Sequence, residues 1–241
     1  YWLSDLLNDH GIEMILAHAK YLKAISYAKV KTDKVDSVTL AQLLKMKMIP
    51  EAHQIAPSNR GLRDLMRARL RLVKKNSSCQ NSIHRLLTKY NISIPDNRKL
   101  HNLSTLDYLV TPPLEPEAQF QLELLKQQMR MLNEQISILE KTIQPRLIPN
   151  EDIQRLLWIP GIGKILAFTI YLELDGIERF PDVKHFYSYC RLVPGADNSN
   201  KKHKHKSANK DGNRYLKMAF TEAAVRAVQY FKEIKQFYQS K

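Results

Sequence analysis

A heptad seam between residues 122 and 143 constrains the fold more than any other feature of the sequence. Its apolar side chains alternate at spacings of three and four: Leu122, Leu125, Met129, Leu132, Ile136, Leu139 and Ile143. Such a repeat predicts one long helix whose narrow apolar stripe needs a partner helix. Pro145 ends that helix. The partner is either an antiparallel helix of the same chain or the same helix of another subunit. We favour the second, a homo-oligomer (dimer or tetramer).

The rest of the chain predicts a mostly α protein with four segments. Residues 1–56 combine a helix, a turn and a short buried strand at Ile12 to Ala17, the rhythm of a partial α/β part. Residues 57–112 form a basic helical arm and a proline-containing connector. Residues 113–148 hold the coiled coil, and residues 149–241 form a helical C-terminal domain.

Charge and cysteine content narrow the class of partner. The formal net charge is +14 over 241 residues, which favours nucleic acid, because each neutralised phosphate releases counterions. No apolar run reaches the roughly 18 residues of a membrane-spanning helix, and no signal peptide pattern is found. Cys79 and Cys190 lie far apart without metal-ligand spacing. These features predict a cytoplasmic protein with two buried or idle thiols and no membrane partner.

A basic stripe is predicted on the helix that begins at Pro57 and runs to about Tyr90. Its cations are spaced by three or four positions and therefore share one face: Arg60, Arg63, Arg67, Arg71 and Lys74. Few acidic residues lie nearby, so we expect the stripe to contact phosphates of nucleic acid. The alternative is a solvated helix face.

A short glycine motif joins two predicted helices at Pro160-Gly161-Ile162-Gly163-Lys164. This pattern predicts a helix-hairpin-helix, in which Gly161 and Gly163 let backbone N–H groups approach a phosphate and Lys164 adds charge. Such a hairpin would hold the nucleic-acid backbone without reading sequence. The alternative is an ordinary tight turn. The spacing is wrong for a P-loop.

A lysine-rich loop lies between Leu192 and the helix predicted near Lys217. Its cations are Lys201, Lys202, Lys204, Lys206, Lys210 and Arg214. Ser199 and Ser207 lie among them. A hydroxyl in such a field can act as a nucleophile on a phosphodiester, because the cations stabilise the alkoxide and the charged transition state. The alternative is a solvated loop whose serines cap turns. The final helix should pack its apolar stripe, Leu216 to Tyr230, against the hairpin.

Two carboxylates begin a predicted helix near Thr32. Asp33 and Asp36 are three residues apart and share one helix face, with Cβ atoms about 5–6 Å apart. Two such carboxylates can bind Mg²⁺ and leave positions open for phosphate and water. The alternative is that both only complement the positive end of the helix dipole.

The order of these motifs resembles that of the IS-one-ten family of insertion-sequence transposases, relatives of the Piv/MooV invertases. The chain reads Lys-Thr-Asp-x-x-Asp at Lys31, then a basic helix with Asn81-x-x-His84, then a coiled coil and Pro-Gly-Ile-Gly. A serine-bearing basic loop that ends Gly212-Asn213-Arg214-Tyr215-Leu216 follows. The resemblance covers essentially all 241 residues, and the co-linear set is more specific than any single motif.

The resemblance implies a bacterial, nucleoid-associated DNA recombinase with two parts. Its N-terminal part would be a RuvC-like, ribonuclease-H-type fold with a DEDD carboxylate set for Mg²⁺, in which Asp33 and Asp36 match the last two carboxylates. The other two would lie before Tyr1, so the chain is expected to be truncated at its N-terminus. The C-terminal part would supply the nucleophile, Ser199, with Ser207 as the second choice.

The resemblance also implies a guide RNA encoded by the element, beside donor and target DNA. Where family members usually have Ser-Ser-Gly-Gly, this chain has Asn198, Ser199, Asn200 and Lys201. The alternative function is therefore a non-catalytic, nucleic-acid-binding remnant of such a transposase.

Overall fold

The computed structural model describes residues 1–25, 32–94, 100, 105, 114–193, 195–199, 202–206 and 211–240. It divides into two compact units, Tyr1–Ala56 and Pro57–Lys241. The prediction of a mostly helical protein is confirmed. No helix in these ranges is both long and apolar enough to cross a membrane.

The N-terminal unit contains the helices α1 (Trp2–Asp9), α2 (Ala19–Ile25) and α3 (Asp33–Lys45). As predicted, Thr32 caps α3: its Oγ1 accepts a hydrogen bond from the Val35 N–H at 3.3 Å.

The strand predicted at Ile12 to Ala17 is not formed. The segment is extended, but its pairing is limited to one antiparallel bridge between Ala17 and Glu51. Two backbone hydrogen bonds flank that bridge, from the His18 N–H to the Pro50 carbonyl and from the Ala52 N–H to the Leu16 carbonyl. A strand needs a continuous ladder, and none is formed within residues 1–25 and 32–56.

The long helices α4 (Pro57–Lys89) and α5 (Pro116–Ile143) form an antiparallel hairpin. Three cross-helix contacts establish the direction, because the partner's number falls as the α4 number rises. They are the ion pair Arg69–Glu140, the Asn76–Asn133 hydrogen bond of 2.9 Å, and the contact of the Cys79 thiol with the Leu125 carbonyl.

The seam predicted at residues 122–143 therefore finds its partner inside the chain. Leu122, Met129, Leu132 and Ile143 are buried, and the first three pack with Ile83 and Leu87 of α4. Of the two partners that the sequence left open, the structure shows the antiparallel helix of the same chain, and self-association of the chain stays a prediction. The helices α4 and α5 thus form one layer.

A 3-10 turn (Gln144–Arg146) leads to α6 (Glu151–Leu157), α7 (Lys164–Leu174) and α8 (Val183–Tyr189). The strands β1 (Gly195–Ser199) and β2 (Lys202–Lys206) come next, followed by α9 (Arg214–Tyr230) and α10 (Lys232–Gln239). Most residues of the apolar helix α7 are buried, and the helix packs against Leu216, Ala219 and Ala223 of α9. The predicted packing of the final helix against the glycine turn and the helix after it is confirmed.

Both cysteines are free and buried, as the sequence predicted. Burial raises the pKa of the Cys190 thiol to about 12 and also raises the pKa of Cys79. Neither thiol is ionised near neutral pH, so neither is a candidate nucleophile.

Candidate nucleic-acid interface

The serine loop leaves the helical core at Arg191 and returns at Gly212. Its two ends are joined by hydrogen bonds: the Arg191 Nε donates to the Gly212 carbonyl at 2.8 Å, and the Asn213 N–H donates to the Tyr189 carbonyl at 2.6 Å. Gly212 has a φ of +95°, and a Cβ there would lie 2.4 Å from the Tyr189 carbonyl oxygen. Only glycine fits this backbone position, so the base of the loop is closed by a specific turn.

Within the loop, β1 and β2 pair antiparallel in a short hairpin. Ser199 is the last residue of β1 and pairs with Lys202, which places the Ser199 backbone beside the tip of the hairpin. Lys204 and Lys206 follow on the returning strand, opposite Asp197 and Gly195. The other predicted loop residues, Lys201, Ser207 and Lys210, lie outside the described residues. Ser199 therefore stays the predicted nucleophile, with the place of its backbone established.

Asn213 connects the end of the loop to the helical core. Its Oδ1 accepts hydrogen bonds from the N–H groups of Tyr215 (2.8 Å) and Leu216 (3.2 Å), so it caps α9. Its Nδ2 donates to Glu173 Oε2 at 2.7 Å. One buried side chain thus fixes both the start of α9 and the return point of the loop.

Glu173 is the centre of a buried charge cluster. Its side chain is 2% exposed, and its Oε2 lies 3.0 Å from Arg63 Nη2 and 2.7 Å from Arg67 Nη2. Burial opposes ionisation, but hydrogen bonds from Arg67 and Asn213 and the charges of both arginines outweigh it, so the pKa of Glu173 is lowered. We call Glu173, Arg63, Arg67 and Asn213 the Glu173 cluster. It joins α4, α7 and the start of α9.

The basic stripe of α4 is divided by this packing. Arg60 and Arg63 are buried, and Arg67 lies between Glu173 and the ring of Tyr215, 4.3 Å from the ring centroid. The structure thus places Arg60 and Arg63 inside the unit and Arg67 in part, and for these three arginines too the phosphate contact stays a prediction. Arg71 and Lys74 are exposed, and for these two the nucleic-acid role stays a prediction.

The exposed basic surface of α4 lies further along the helix than predicted. From residue 71 to residue 89 the sequence contains no Asp or Glu, and the cations on that stretch are exposed: Arg71, Lys74, Lys75, Arg85 and Lys89. We call these five the α4 basic face. Sequence reasoning missed the last three of them, although the absence of acidic residues was a signal that could have found them.

The two glycines of the turn between α6 and α7 have different environments. Gly161 has a φ of +85°, and a Cβ there would lie 2.1 Å from the Ala223 carbonyl oxygen of α9. It therefore serves close packing between the turn and α9. Gly163 is the N-cap residue of α7, and a Cβ added there would meet nothing within 4 Å. Gly163 and the exposed Lys164 are thus the residues of the turn that a phosphate could approach.

Asp33 and Asp36 lie in the first turn of α3, and both are exposed. Their oxygens suit Mg²⁺, which proteins commonly bind through one or two carboxylates together with phosphate and water. Three or more His, Cys, Asp or Glu side chains do not gather into a metal-binding group anywhere in the described ranges. The two carboxylates thus lie in one helix turn of the unit Tyr1–Ala56, which does not contain the serine loop.

Comparisons with known proteins match both ends of the chain. The family model described as "Transposase IS116/IS110/IS902 family" matches residues 153–239, and a DEDD transposase model of the IS110 type matches residues 1–92. Both parts of the chain are thus similar to transposases of the IS110 type.

Curated relatives carry matching descriptions. The transposase for insertion sequence element IS1328 of Yersinia enterocolitica is 27% identical over 202 residues, which is 81% of this chain and 59% of the relative. The transposase for IS1111A of Coxiella burnetii is 24% identical over 80% of this chain and 54% of the relative. A probable family 20 transposase of Pseudomonas aeruginosa is 24% identical over 93% of this chain and 67% of its own length. The chain thus spans little more than half the length of the first of these relatives.

The IS116/IS110/IS902 match contains the glycine turn, Glu173 and the whole serine loop. The sequence analysis did not single out Glu173. The available signal was one acidic residue inside an otherwise apolar helix, Ile-Tyr-Leu-Glu-Leu at residues 170–174. A carboxylate is rarely buried unless it is paired with a cation. A carboxylate in this helix therefore predicts cations on a neighbouring helix.

Proposed function

We propose that this chain acts in DNA transposition, as the part of an insertion-sequence transposase that holds DNA and cleaves and transfers strands. The observation that carries the proposal is the serine-bearing basic loop, closed at its base by Arg191, Gly212 and Asn213 inside the transposase match. The sequence places lysines around the serines of this loop, and cations there would stabilise charge on a phosphate. The protein would work on the chromosome in the bacterial cytoplasm.

The proposed chemistry is a transesterification at Ser199. Its Oγ attacks the phosphorus of a DNA phosphodiester, the Oγ–P bond forms, and the P–O bond to one deoxyribose breaks. The serine proton leaves to solvent, and the departing deoxyribose oxygen takes up a proton. A strand hydroxyl can reverse the step, lose its proton and release the serine. The lysines of the loop would neutralise the phosphate oxygens during both steps.

Asp33 and Asp36 are the residues that would hold Mg²⁺ in this proposal. The ion would offset negative charge on the phosphate as the transition state forms. Both carboxylates are exposed in one helix turn. That this helix turn and Ser199 act on the same phosphate is part of the proposal, and it rests on the resemblance to DEDD transposases.

The α4 basic face, together with Gly163 and Lys164, is the proposed surface for DNA and for an element-encoded guide RNA. Its five cations cover about 27 Å of helix, since residues 71 to 89 rise about 1.5 Å each. That length matches several successive phosphates of one strand. If this surface binds the guide RNA, the RNA that co-purifies with the protein from cells carrying the complete element should derive from the element.

A second candidate function is nucleic-acid binding without catalysis. It is favoured by the residues beside Ser199, since Asn198, Asn200 and Lys201 stand where family members usually have serine and glycines. This candidate predicts binding that weakens steeply with salt and does not depend on a metal.

The test is a covalent adduct assay on protein expressed together with its insertion sequence. Denaturing the cells should trap a protein–DNA species whose DNA is attached at Ser199, identified by mass spectrometry of the tryptic peptide. Ser199→Ala should abolish the species. Ser207→Ala, in the same loop, is the matched control and should retain it.

Two results would contradict parts of this proposal. An adduct that survives in Ser199→Ala would remove the role assigned to Ser199. Complete absence of an adduct in the unaltered protein, with nucleic-acid binding intact, would favour the non-catalytic candidate.

A further inference from the structure

An open groove lies between the glycine turn and the junction of α9 and α10. Its volume is about 660 Å³, and it is lined by residues 157–166, Arg226 and Phe231. No acidic residue is among the described residues that line it. The groove extends beyond Gly163 and Lys164, the two residues through which the proposed function would hold a phosphate.

Two aromatic side chains on this surface are exposed. Trp158, directly after α6, is 82% exposed, and Phe231, between α9 and α10, is 40% exposed. Tryptophan is rarely left so open to water, because its burial contributes strongly to folding. Exposed apolar side chains gathered on one surface mark a binding site.

The charges on this surface indicate what it binds. Lys164 and Arg226 are both exposed and both line the groove with Trp158. Cations beside aromatic faces are typical of surfaces for single-stranded nucleic acid, where bases stack on the rings and phosphates lie near the charges. A base-paired duplex offers no free base face inside its stack, so it could use only the charges.

We propose that this groove binds an unpaired polynucleotide segment, with a base stacked on Trp158 and the adjoining phosphates near Lys164 and Arg226. The inference rests on the proposed function, because it presumes a nucleic-acid partner. It adds a strand-state preference, since the surface selects nucleotides that are not base-paired. Such nucleotides arise wherever strands are opened for cleavage or exchange.

The experiment uses tryptophan fluorescence. The chain has two tryptophans, so Trp2→Phe leaves Trp158 as the only reporter. The probes are oligothymidylate and oligouridylate of about 12 nucleotides, within the size range of single-strand sites, and a blunt DNA duplex of equal length. Both single strands should quench the emission at saturation, and the duplex should bind without quenching. The two single strands show whether DNA or RNA is preferred.

A substitution series locates the contact. Trp158→Leu should weaken binding of the single strand about tenfold, the effect of losing one stacked base, and leave duplex affinity unchanged. Its high exposure makes the substitution safe for folding. Tyr238→Leu is the matched control, because Tyr238 on α10 is 68% exposed and does not line the groove. It should bind both probes as the unaltered protein does.

The possible failures are distinguishable. Binding of both probes without quenching, or equal losses in Trp158→Leu and Tyr238→Leu, would overturn this inference and leave the proposed function intact. Failure to bind either probe would overturn both. A shift of Trp158 emission with protein concentration alone would identify a second copy of the chain as the occupant and also overturn the inference.

Discussion

At the scale of single residues, Glu173 is the side chain on which the arrangement around the serine loop depends. A buried carboxylate that pairs with two arginines gives little net stability compared with an apolar side chain, because desolvation offsets the attraction. Removing one partner is different, since it leaves the other charges buried and unpaired. Loss of the Glu173 carboxylate would leave Arg63 and Arg67 without this counter-charge.

We expect Glu173→Gln to destabilise the unit Pro57–Lys241 by about 3 kcal/mol, the cost of breaking a buried ion pair. The measurement is urea denaturation followed by far-ultraviolet circular dichroism. Glu140→Gln is the matched control: Glu140 pairs with Arg69 at 2.6 Å, but its side chain is 45% exposed. That change should cost less than about 1 kcal/mol. Equal effects of the two substitutions would show that Glu173 is not held as described.

The same cluster predicts sensitivity to acid. The pKa of Glu173 is lowered in the folded protein, so the unfolded chain takes up this proton at a higher pH than the folded one. The stability that the ionised carboxylate contributes is complete above the unfolded pKa of 4.5. It is lost as the pH falls through the lower folded pKa. The difference in the free energy of unfolding between the unaltered protein and Glu173→Gln should therefore shrink as the pH falls from 6 into the acid range. Parallel pH profiles would contradict the assignment.

At the scale of secondary structure, the sequence predicted where helices form better than it predicted what those helices pack against. Periodicity correctly gave the long helix from Pro57 and the helix under the seam, because a 3.6-residue repeat reports which residues share a face. It does not report what that face meets. For this reason the pattern left open whether the seam meets a helix of the same chain or of another subunit. It also did not reveal that Arg63 and Arg67 pair with Glu173.

Two other elements show the limits of local pattern. The apolar run at Ile12 to Ala17 predicts a strand, but a strand forms only with a neighbouring ladder, and the segment has one bridge. The pattern at Gly161–Gly163 predicts a phosphate site and does not distinguish its two glycines. Only the tertiary packing distinguishes them, since α9 lies against Gly161 and not against Gly163.

This difference between the glycines can be measured. Gly161→Ala should destabilise the C-terminal unit by more than about 1 kcal/mol, because the new Cβ meets the α9 backbone and φ is positive. Gly163→Ala is the matched control, with a φ of −89° and open space around it. It should leave the urea midpoint nearly unchanged. A larger loss in Gly163→Ala than in Gly161→Ala would contradict the described packing of the turn.

At the scale of the whole molecule, the excess of positive charge is divided between interior and surface. The net charge of +14 predicted an anionic partner, but it did not say which cations are available to it. Burial removes Arg60 and Arg63 from the surface, while the α4 basic face remains exposed. Its partner helix α5 contains Glu117, Glu123, Glu134 and Glu140, so the two sides of the hairpin differ in charge.

This asymmetry predicts where a duplex binds. Each phosphate neutralised by a cation adds about 0.9 to the slope of log affinity against log salt concentration. The double substitution Lys74→Gln with Lys75→Gln should therefore weaken duplex binding and reduce the slope by about two. The measurement is fluorescence anisotropy of a labelled duplex between low and moderate salt. Because both lysines are exposed, the thermal stability of the protein should not change.

The control for this prediction lies on the other helix of the same hairpin. Lys141 of α5 is also an exposed lysine, but it follows Glu140 directly and lies about two helical turns beyond Glu134. Lys141→Gln should change the salt slope by much less than one, because acidic neighbours keep phosphates away from this side. A slope change in Lys141→Gln as large as the per-lysine change of the double variant would mean that the duplex contacts both helices. The α4 basic face would then lose its special role, and binding would reflect the net charge of the molecule alone.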